Sequence, residues 1–271
     1  MSTEEDAKTK AAATYNLAAD FFDHPTNTFW ERYGRRTIER LELTPGANVL
    51  DVCCGSGASA IPAAQAVGPD GSVTGIDLAE NLLTLARNKA SQHGLSNLRF
   101  EQGDLTNLRF DDGSFDVVVC VFGIFFVPDM EAGMRELKRV LRLGGRLAIT
   151  TWGPRLFEPV NTAFWDSVRS LRPELYKGFN PWDRICEAEQ LRLLLSTAGL
   201  KDIEVAAERD SQPINSPEDW WPMVLGSGYR GTVEQLSAAE RERVKAENVD
   251  FIRQSKIRSI EANVLYAVGT A

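Results

Sequence analysis

Histidine is scarce in this chain: there are two, His24 and His93, in 271 residues. The four cysteines, Cys53, Cys54, Cys120 and Cys186, have no ligand spacing, so a zinc centre has little to build on and no metal is expected. They read as reduced thiols rather than as a disulfide framework. Long apolar runs are missing too. The longest is Val117 to Val127, eleven residues with Gly123 inside it, against the roughly 20 that a membrane helix needs. It reads as a buried strand and its continuation, and no membrane insertion is expected. Met1 to Lys10 is polar and of mixed charge, without the apolar segment of a secretory signal, which gives a cytoplasmic expectation. No basic run is present, and 30 Lys and Arg against 38 Asp and Glu leave a charge of −8, so nucleic acid is not expected as a partner. With only 21 Gly and 12 Pro, collagen-like and low-complexity readings also fall away. What is there, 43% apolar and 25% charged residues, is enough for one large domain or two small ones.

From residue 47 onward short apolar runs alternate with helical patterns, the sequence form of βαβ units around a parallel sheet. Expected strands are Asn48 to Cys53, Ser72 to Asp77, Leu98 to Gln102, Val117 to Phe122 and Arg146 to Trp152. Between them, Ala58 to Val67, Ala79 to His93 and Met130 to Leu141 carry helical spacing and are closed by Gly68, Gly94 and Gly144-Gly145. This is a doubly wound α/β core at 47–152. Before it, 1–46 reads as a capping segment with an amphipathic stretch, Phe29 to Leu43, ended by Pro45-Gly46. After it, 153–271 reads as the rest of the sheet, with a helix at Glu187 to Ala198 and strands at Asp202 to Ala207 and Ile260 to Val268. Two irregular stretches there, about 153–186 and 210–257, read as lid insertions. Glu240 to Glu247, dense in charge, reads as a solvated lid face.

Val49 to Ala60 runs from strand through a Gly-rich turn into a helix, and Gly55, Gly57 and Ala60 satisfy G-x-G-x-x-G/A, where backbone approaches a ligand at a helix N-terminus. Asp77 ends the next strand 20 residues after Gly57, placed for ribose hydroxyls. Two features separate a nicotinamide dinucleotide from S-adenosylmethionine. Asp51 lies inside the first strand, where a carboxylate hinders a diphosphate but suits a cation. Gly103-Asp104-Leu105 follows the third strand and offers a carboxylate beside an amide to an adenine edge.

Residues 47 to 152 resemble the class I S-adenosylmethionine-dependent methyltransferases. The motifs are VLDVCCGSG at 49–57, VTGIDLAENLL at 73–83, EQGDLTNL at 101–108, FDVVVCVFG at 115–123 and ELKRVLRLGGRLAIT at 136–150. The similarity is nearest to the ubiquinone/menaquinone C-methyltransferase-like small-molecule group, also called methyltransferase type 11; LLSTAGL at 194–200 belongs to the broader family as well. The resemblance implies a Rossmann-like sheet of seven strands, mostly parallel with a C-terminal antiparallel strand. It implies Gly55, Ser56 and Gly57 around the methionyl part, with Asp51 below its ammonium group. Asp77 falls to the ribose, Asp104 and Leu105 to the adenine, and Cys120 and Val121 to the sulfonium, with Cys53 and Leu78 in the same wall. Members acting on quinone precursors carry Arg-Asn where this chain has Phe125-Phe126, so quinone activity is not carried over.

Methyl transfer needs in-line approach to the methyl carbon and exclusion of water, and a base only for acceptors of high pKa. His93 reads as a helix C-terminal cap. His24, in a loop before the capping helix, competes with the reading of an ordinary loop histidine, and Tyr15 resembles an N-terminal tyrosine that related enzymes fold over the cofactor. These two are the only candidates for catalysis, and no general base is assigned. Phe125, Phe126, Trp152, Arg155 and Trp221 are the expected acceptor contacts, while Trp165 reads as core and Arg184 as a local pair with Asp183. The expectation is a methyltransferase that uses S-adenosylmethionine, releases S-adenosylhomocysteine, and acts on a carbon, oxygen or nitrogen of a small, largely apolar molecule. The competing readings are an NAD-dependent oxidoreductase and a non-catalytic S-adenosylmethionine-binding module.

Overall fold

The structure, a computed structural model, describes residues 3–271, with side chains from residue 7 onward. The residues before Thr3, the start of the polar stretch at Met1, lie outside the described residues. Two helices open the chain, α1 (Thr3–Phe22) and α2 (Phe29–Leu41). The core follows as β1 (Asn48–Val52), α3 (Ala60–Val67), β2 (Ser72–Asp77), α4 (Glu80–Gln92), β3 (Leu98–Gln102), β4 (Phe115–Val121), α5 (Met130–Arg139) and β5 (Leu141–Trp152). Beyond it come α6 (Val160–Leu171), α7 (Ala188–Thr197), β6 (Lys201–Glu208), β7 (Ser211–Pro213) and α8 (Trp220–Leu225). The chain closes with α9 (Arg230–Val233), α10 (Ala238–Gln254), β8 (Ser259–Glu261) and β9 (Val264–Thr270).

Seven strands form one sheet in the order β3-β2-β1-β4-β5-β9-β6, parallel from β3 to β5, with β9 antiparallel to both of its neighbours. The central strands are buried on both faces, which is why they read as unbroken Val, Leu and Ile runs. Their side chains split with period two: Leu50, Val52, Val118 and Cys120 join one apolar cluster, Val49, Val117 and Val119 the other. Strand β1 pairs with β2 on one side and β4 on the other, so the order reverses there and a crevice opens beyond the strands' C-terminal ends. Every site element described below stands at that edge.

Three differences from the sequence reading have physical causes. The polar N-terminus is the 20-residue helix α1, whose six alanines between Ala7 and Ala19 supply helix propensity where an amphipathic stripe is weak. The single C-terminal strand expected over Ile260 to Val268 is split: Ser259–Glu261 pairs with Ser211–Pro213 in a separate two-stranded ribbon, and only Val264–Thr270 enters the main sheet. The irregular stretches after β5 hold helices. Helix α10 is charged on its outer side, but Val244, Asn248, Val249 and Ile252 are buried, so the Glu240–Glu247 run is a solvated face on a packed helix. Trp220 is fully buried and donates its indole N–H to Asn248 Oδ1 at 3.0 Å, a satisfied polar contact inside this layer.

Helix α2 has one apolar stripe, and its buried residues include Phe29, Trp30, Tyr33, Ile38 and Leu41. Gly34 sits on that stripe where the helix presses on the glycine turn; a Cβ there would come within 2.5 Å of the Ala58 carbonyl oxygen. Gly34→Ala should therefore lift α2 off the turn and lower unfolding free energy by about 2 kcal/mol, as read from urea denaturation. Unchanged stability would show that the helix does not seat the turn.

Candidate functional site

The turn after β1 takes its shape from backbone conformations that few residues tolerate. Gly55 and Gly57 have φ of 53° and 89°, and Cys53, with a side chain, has 59°. At the end of β4, Phe122 likewise sits at 54°. Left-handed residues with side chains cost free energy and gather at functional edges. The Asp77 carboxylate fixes the turn: it accepts from the Gly55 amide at 2.9 Å and from the Ala79 amide at 2.8 Å. Each oxygen keeps a further lone pair.

Two cavities lie along this edge. The first, about 970 Å³ with its open mouth, is lined by the glycine turn, by Asp77, Leu78, Asp104, Leu105 and Val121, and by Lys8, Ala11, Ala12 and Tyr15 of α1. The second, about 650 Å³ with its open mouth, is walled by aromatic rings, among them Phe125, Phe126, Trp152, Trp165 and Trp182. Tyr15, Trp30, Phe122 and Phe126 belong to both walls. Phe122 stacks on Trp152 with ring centres 4.0 Å apart, and Tyr15 meets Phe126 edge-on at 5.5 Å. Among the described residues, no carboxylate or imidazole lines the second cavity.

The carboxylates differ in state. Asp51 is buried under the turn; its Oδ2 accepts from the Ser59 hydroxyl at 2.7 Å while its Oδ1 has no hydrogen-bond partner among the described residues. Burial raises its pKa to about 7, helped by the Asp77 charge and only partly offset by the Ser59 hydroxyl and the Ala60 amide. Burial also raises Asp77, against the amides that hold it. At Asp104 burial acts upward, but the Thr106 amide at 2.8 Å and the Lys8 ammonium at 3.0 Å win, and the pKa is lowered. Tyr15 is pushed well above the ordinary phenol range by burial and by Asp77, so it stands here as a protonated hydroxyl.

The structure brings together at the first cavity Cys53, Gly55, Asp77, Leu78, Asp104, Leu105 and Val121, and at the second Phe125, Phe126 and Trp152. Other expected residues are placed elsewhere. Asp51, Gly57 and Cys120 lie behind the cavity wall, not on it. Ser56 donates its hydroxyl to Asp23 at 2.6 Å and accepts from Lys89, which turns it toward α4. His24 is held in its own turn, bonded to Thr26 at 2.9 Å and stacked on Phe21, and lines neither cavity. Arg155 pairs with Glu261 at 2.7 Å on another surface, and Trp221 packs within α8 outside both cavities. Trp165, read as core, is buried yet lines the second cavity. Arg184 bonds the carbonyls of Pro128, Val127 and Phe125 rather than Asp183, which is spent capping Asn180. Lys8, Ala11, Ala12, Phe22 and Trp30 were missed; the alanine-rich run ending in Tyr15 was the signal for the first three.

The model of the ubiE/COQ5 methyltransferase family matches residues 6–177, well over half of the chain. The chain belongs to this family. Demethylmenaquinone methyltransferase of Listeria monocytogenes is 41% identical over 117 residues, 43% of this chain and 49% of that one. Nocamycin O-methyltransferase of Saccharothrix syringae is 35% identical over 136 residues, 50% of this chain and 49% of that one. The chain thus spans about half the length of the curated relatives it matches. A solved protein of Bacillus halodurans, 18% identical, superposes with a TM-score of 0.58 over 87% of this chain and 97% of its own, a likeness of fold. The cofactor of the ubiE/COQ5 methyltransferases is S-adenosylmethionine. The residues fit it: an orphaned, buried Asp51 oxygen and the Asp77 and Asp104 carboxylates suit a ligand carrying positive charge, a ribose and an adenine.

Asp51 also gives a test by acidity. In the unfolded chain it titrates near 4, and in the fold near 7, so the native state holds the proton longer. The stability it contributes is full below about pH 4 and is lost as pH rises through 7. Urea denaturation across that window should show a smaller fall with pH for Asp51→Asn than for the parent; equal slopes would contradict the buried, unpartnered carboxyl.

Proposed function

We propose that the protein is an S-adenosylmethionine-dependent methyltransferase acting on a small, largely apolar molecule at carbon, oxygen or nitrogen. The observation that carries this reading is the shared wall: the carboxylate-bearing cavity and the aromatic cavity meet at Tyr15, Trp30, Phe122 and Phe126. A donor held in the first has its neighbour in the second. When bound, S-adenosylmethionine supplies a methyl group activated by a sulfonium. Asp77 holds the ribose hydroxyls through the lone pairs left over from Gly55 and Ala79, and the Asp104-Leu105 corner takes the adenine edge. The glycine turn and Cys53 lie along the methionyl chain, and Val121 flanks the sulfur. Asp51 acts from below the turn by charge, through Ser59.

The chain's own contribution to rate is positioning and the exclusion of water. Orienting two reactants can supply about 7 kcal/mol or more of a barrier. No carboxylate or imidazole among the described residues lines the aromatic cavity, and the Tyr15 hydroxyl is protonated, so acceptors that arrive already nucleophilic suit it best. Tyr15 closes the first cavity over the cofactor and donates, rather than accepts, a hydrogen bond. The dinucleotide reading is disfavoured by charge: a diphosphate at the glycine turn would face Asp51 and Asp77 together.

Calorimetric titration with S-adenosylhomocysteine tests the reading. The parent should bind, and Asp77→Ala should bind about tenfold more weakly or worse, as a charged hydrogen-bond acceptor is lost. No heat with the parent at near-millimolar ligand would remove the proposal.

A further inference from the structure

Two donors of the aromatic cavity, the Trp165 indole N–H and the Lys177 ammonium, have neither a hydrogen-bond acceptor nor a carboxylate beside them among the described residues. Trp165 is buried in the cavity wall, and its indole N–H has no acceptor among the described residues. Lys177 stands exposed at the rim, with its ammonium 5.8 Å from the centre of the Trp165 ring, and among the described residues it pairs with no carboxylate. Both are donors, and they sit on one side of the same cavity. Leaving a buried donor unpaired is costly, so a ligand that brings an oxygen to it is favoured by the full desolvation penalty.

The rings alone would welcome a cation, since aromatic faces attract one. Lys177 opposes that choice: a second positive charge would be held against it with no carboxylate lining the cavity to neutralise the pair. The flat aromatic walls suit a planar, apolar molecule. Resting on the methyltransferase reading above, we propose that the acceptor is a planar, apolar anion whose carboxylate or enolate oxygens are held by the Lys177 ammonium and the Trp165 indole N–H. This end of the molecule is anchored, and its far edge is presented past Phe126 and Tyr15 to the cofactor. Lys177 is thereby the residue that selects acceptors by charge, and the segment between α6 and α7 carries the selection.

The test uses the full chain saturated with S-adenosylhomocysteine and three probes built on one ring system: 2-naphthoate, neutral 2-naphthamide and cationic 2-naphthylmethylammonium. Binding is read from quenching of tryptophan fluorescence. The parent should prefer the naphthoate to the amide by about tenfold. Lys177→Met, which keeps the length of the side chain, should abolish that preference while leaving amide and S-adenosylhomocysteine affinities unchanged. Trp165→Phe, which keeps a ring and removes the N–H, should weaken the naphthoate about threefold or more. Equal affinity for acid and amide, tighter binding of the ammonium probe, no binding of any probe, or a preference that survives Lys177→Met would each overturn the inference. Failure of S-adenosylhomocysteine to bind would instead remove the methyltransferase reading and this inference with it.

Discussion

The site depends on carboxylates kept at strand ends in a place where water cannot solvate them freely. Burial raises both Asp51 and Asp77, and the Asp77 charge raises Asp51 further. A buried carboxylate is tolerated when hydrogen bonds or a neighbouring cation hold it. Asp77 is held by two amides that belong to the turn and to the start of α4, so its charge is also the clasp of the turn. Asp51 has only Ser59 and the nearby Ala60 amide, and one oxygen is left over. The arrangement is electrostatically unfinished, and a cationic ligand completes it. That single imbalance separates this glycine turn from one that cradles a diphosphate, although the two share G-x-G-x-x-A.

Around this edge the N-terminal helices and the layer after β5 build an apolar enclosure. Phe122, forced into a left-handed turn at the end of β4, lies flat on Trp152 at the end of β5, and Trp30 of α2 approaches both. The rings therefore come from two neighbouring strand ends and one helix. Their mutual packing sets the wall between the two cavities. Enclosure matters to the chemistry because methyl transfer is lost to water if the sulfonium is exposed, and because charge interactions strengthen where water is excluded.

Much of the core was legible in the sequence because parallel strands buried on both faces leave continuous apolar runs, and because the turn chemistry of Gly55 and Gly57 has few alternatives. Ser72–Asp77 and Leu98–Gln102 fall where their runs put them. Asp77, Asp104 and Leu105 line the cavity because the C-terminal ends of β2 and β3 open onto it. Ser56 shows the limit. Its backbone belongs to the turn, but its side chain is claimed by Asp23 and Lys89, two residues that only the folded chain brings near. Arg155 was placed correctly at a strand end and then drawn off by Glu261, 106 residues away. Trp165 and Lys177 carry no local pattern at all; their meeting is a product of how α6 and the segment after it pack.

Helix α1 ties these parts into one device. Lys8 joins it to Asp104 in the wall of the first cavity, Asn16 bonds Asn81 at the start of α4, and Asp20 pairs with Arg230 in the layer after β5. Between those anchors stands Tyr15, the residue of α1 that lines both cavities. Helix α1 is thus held near its start at the first cavity and near its end to the layer after β5. The two cavities thus share a helix as well as the rings between them.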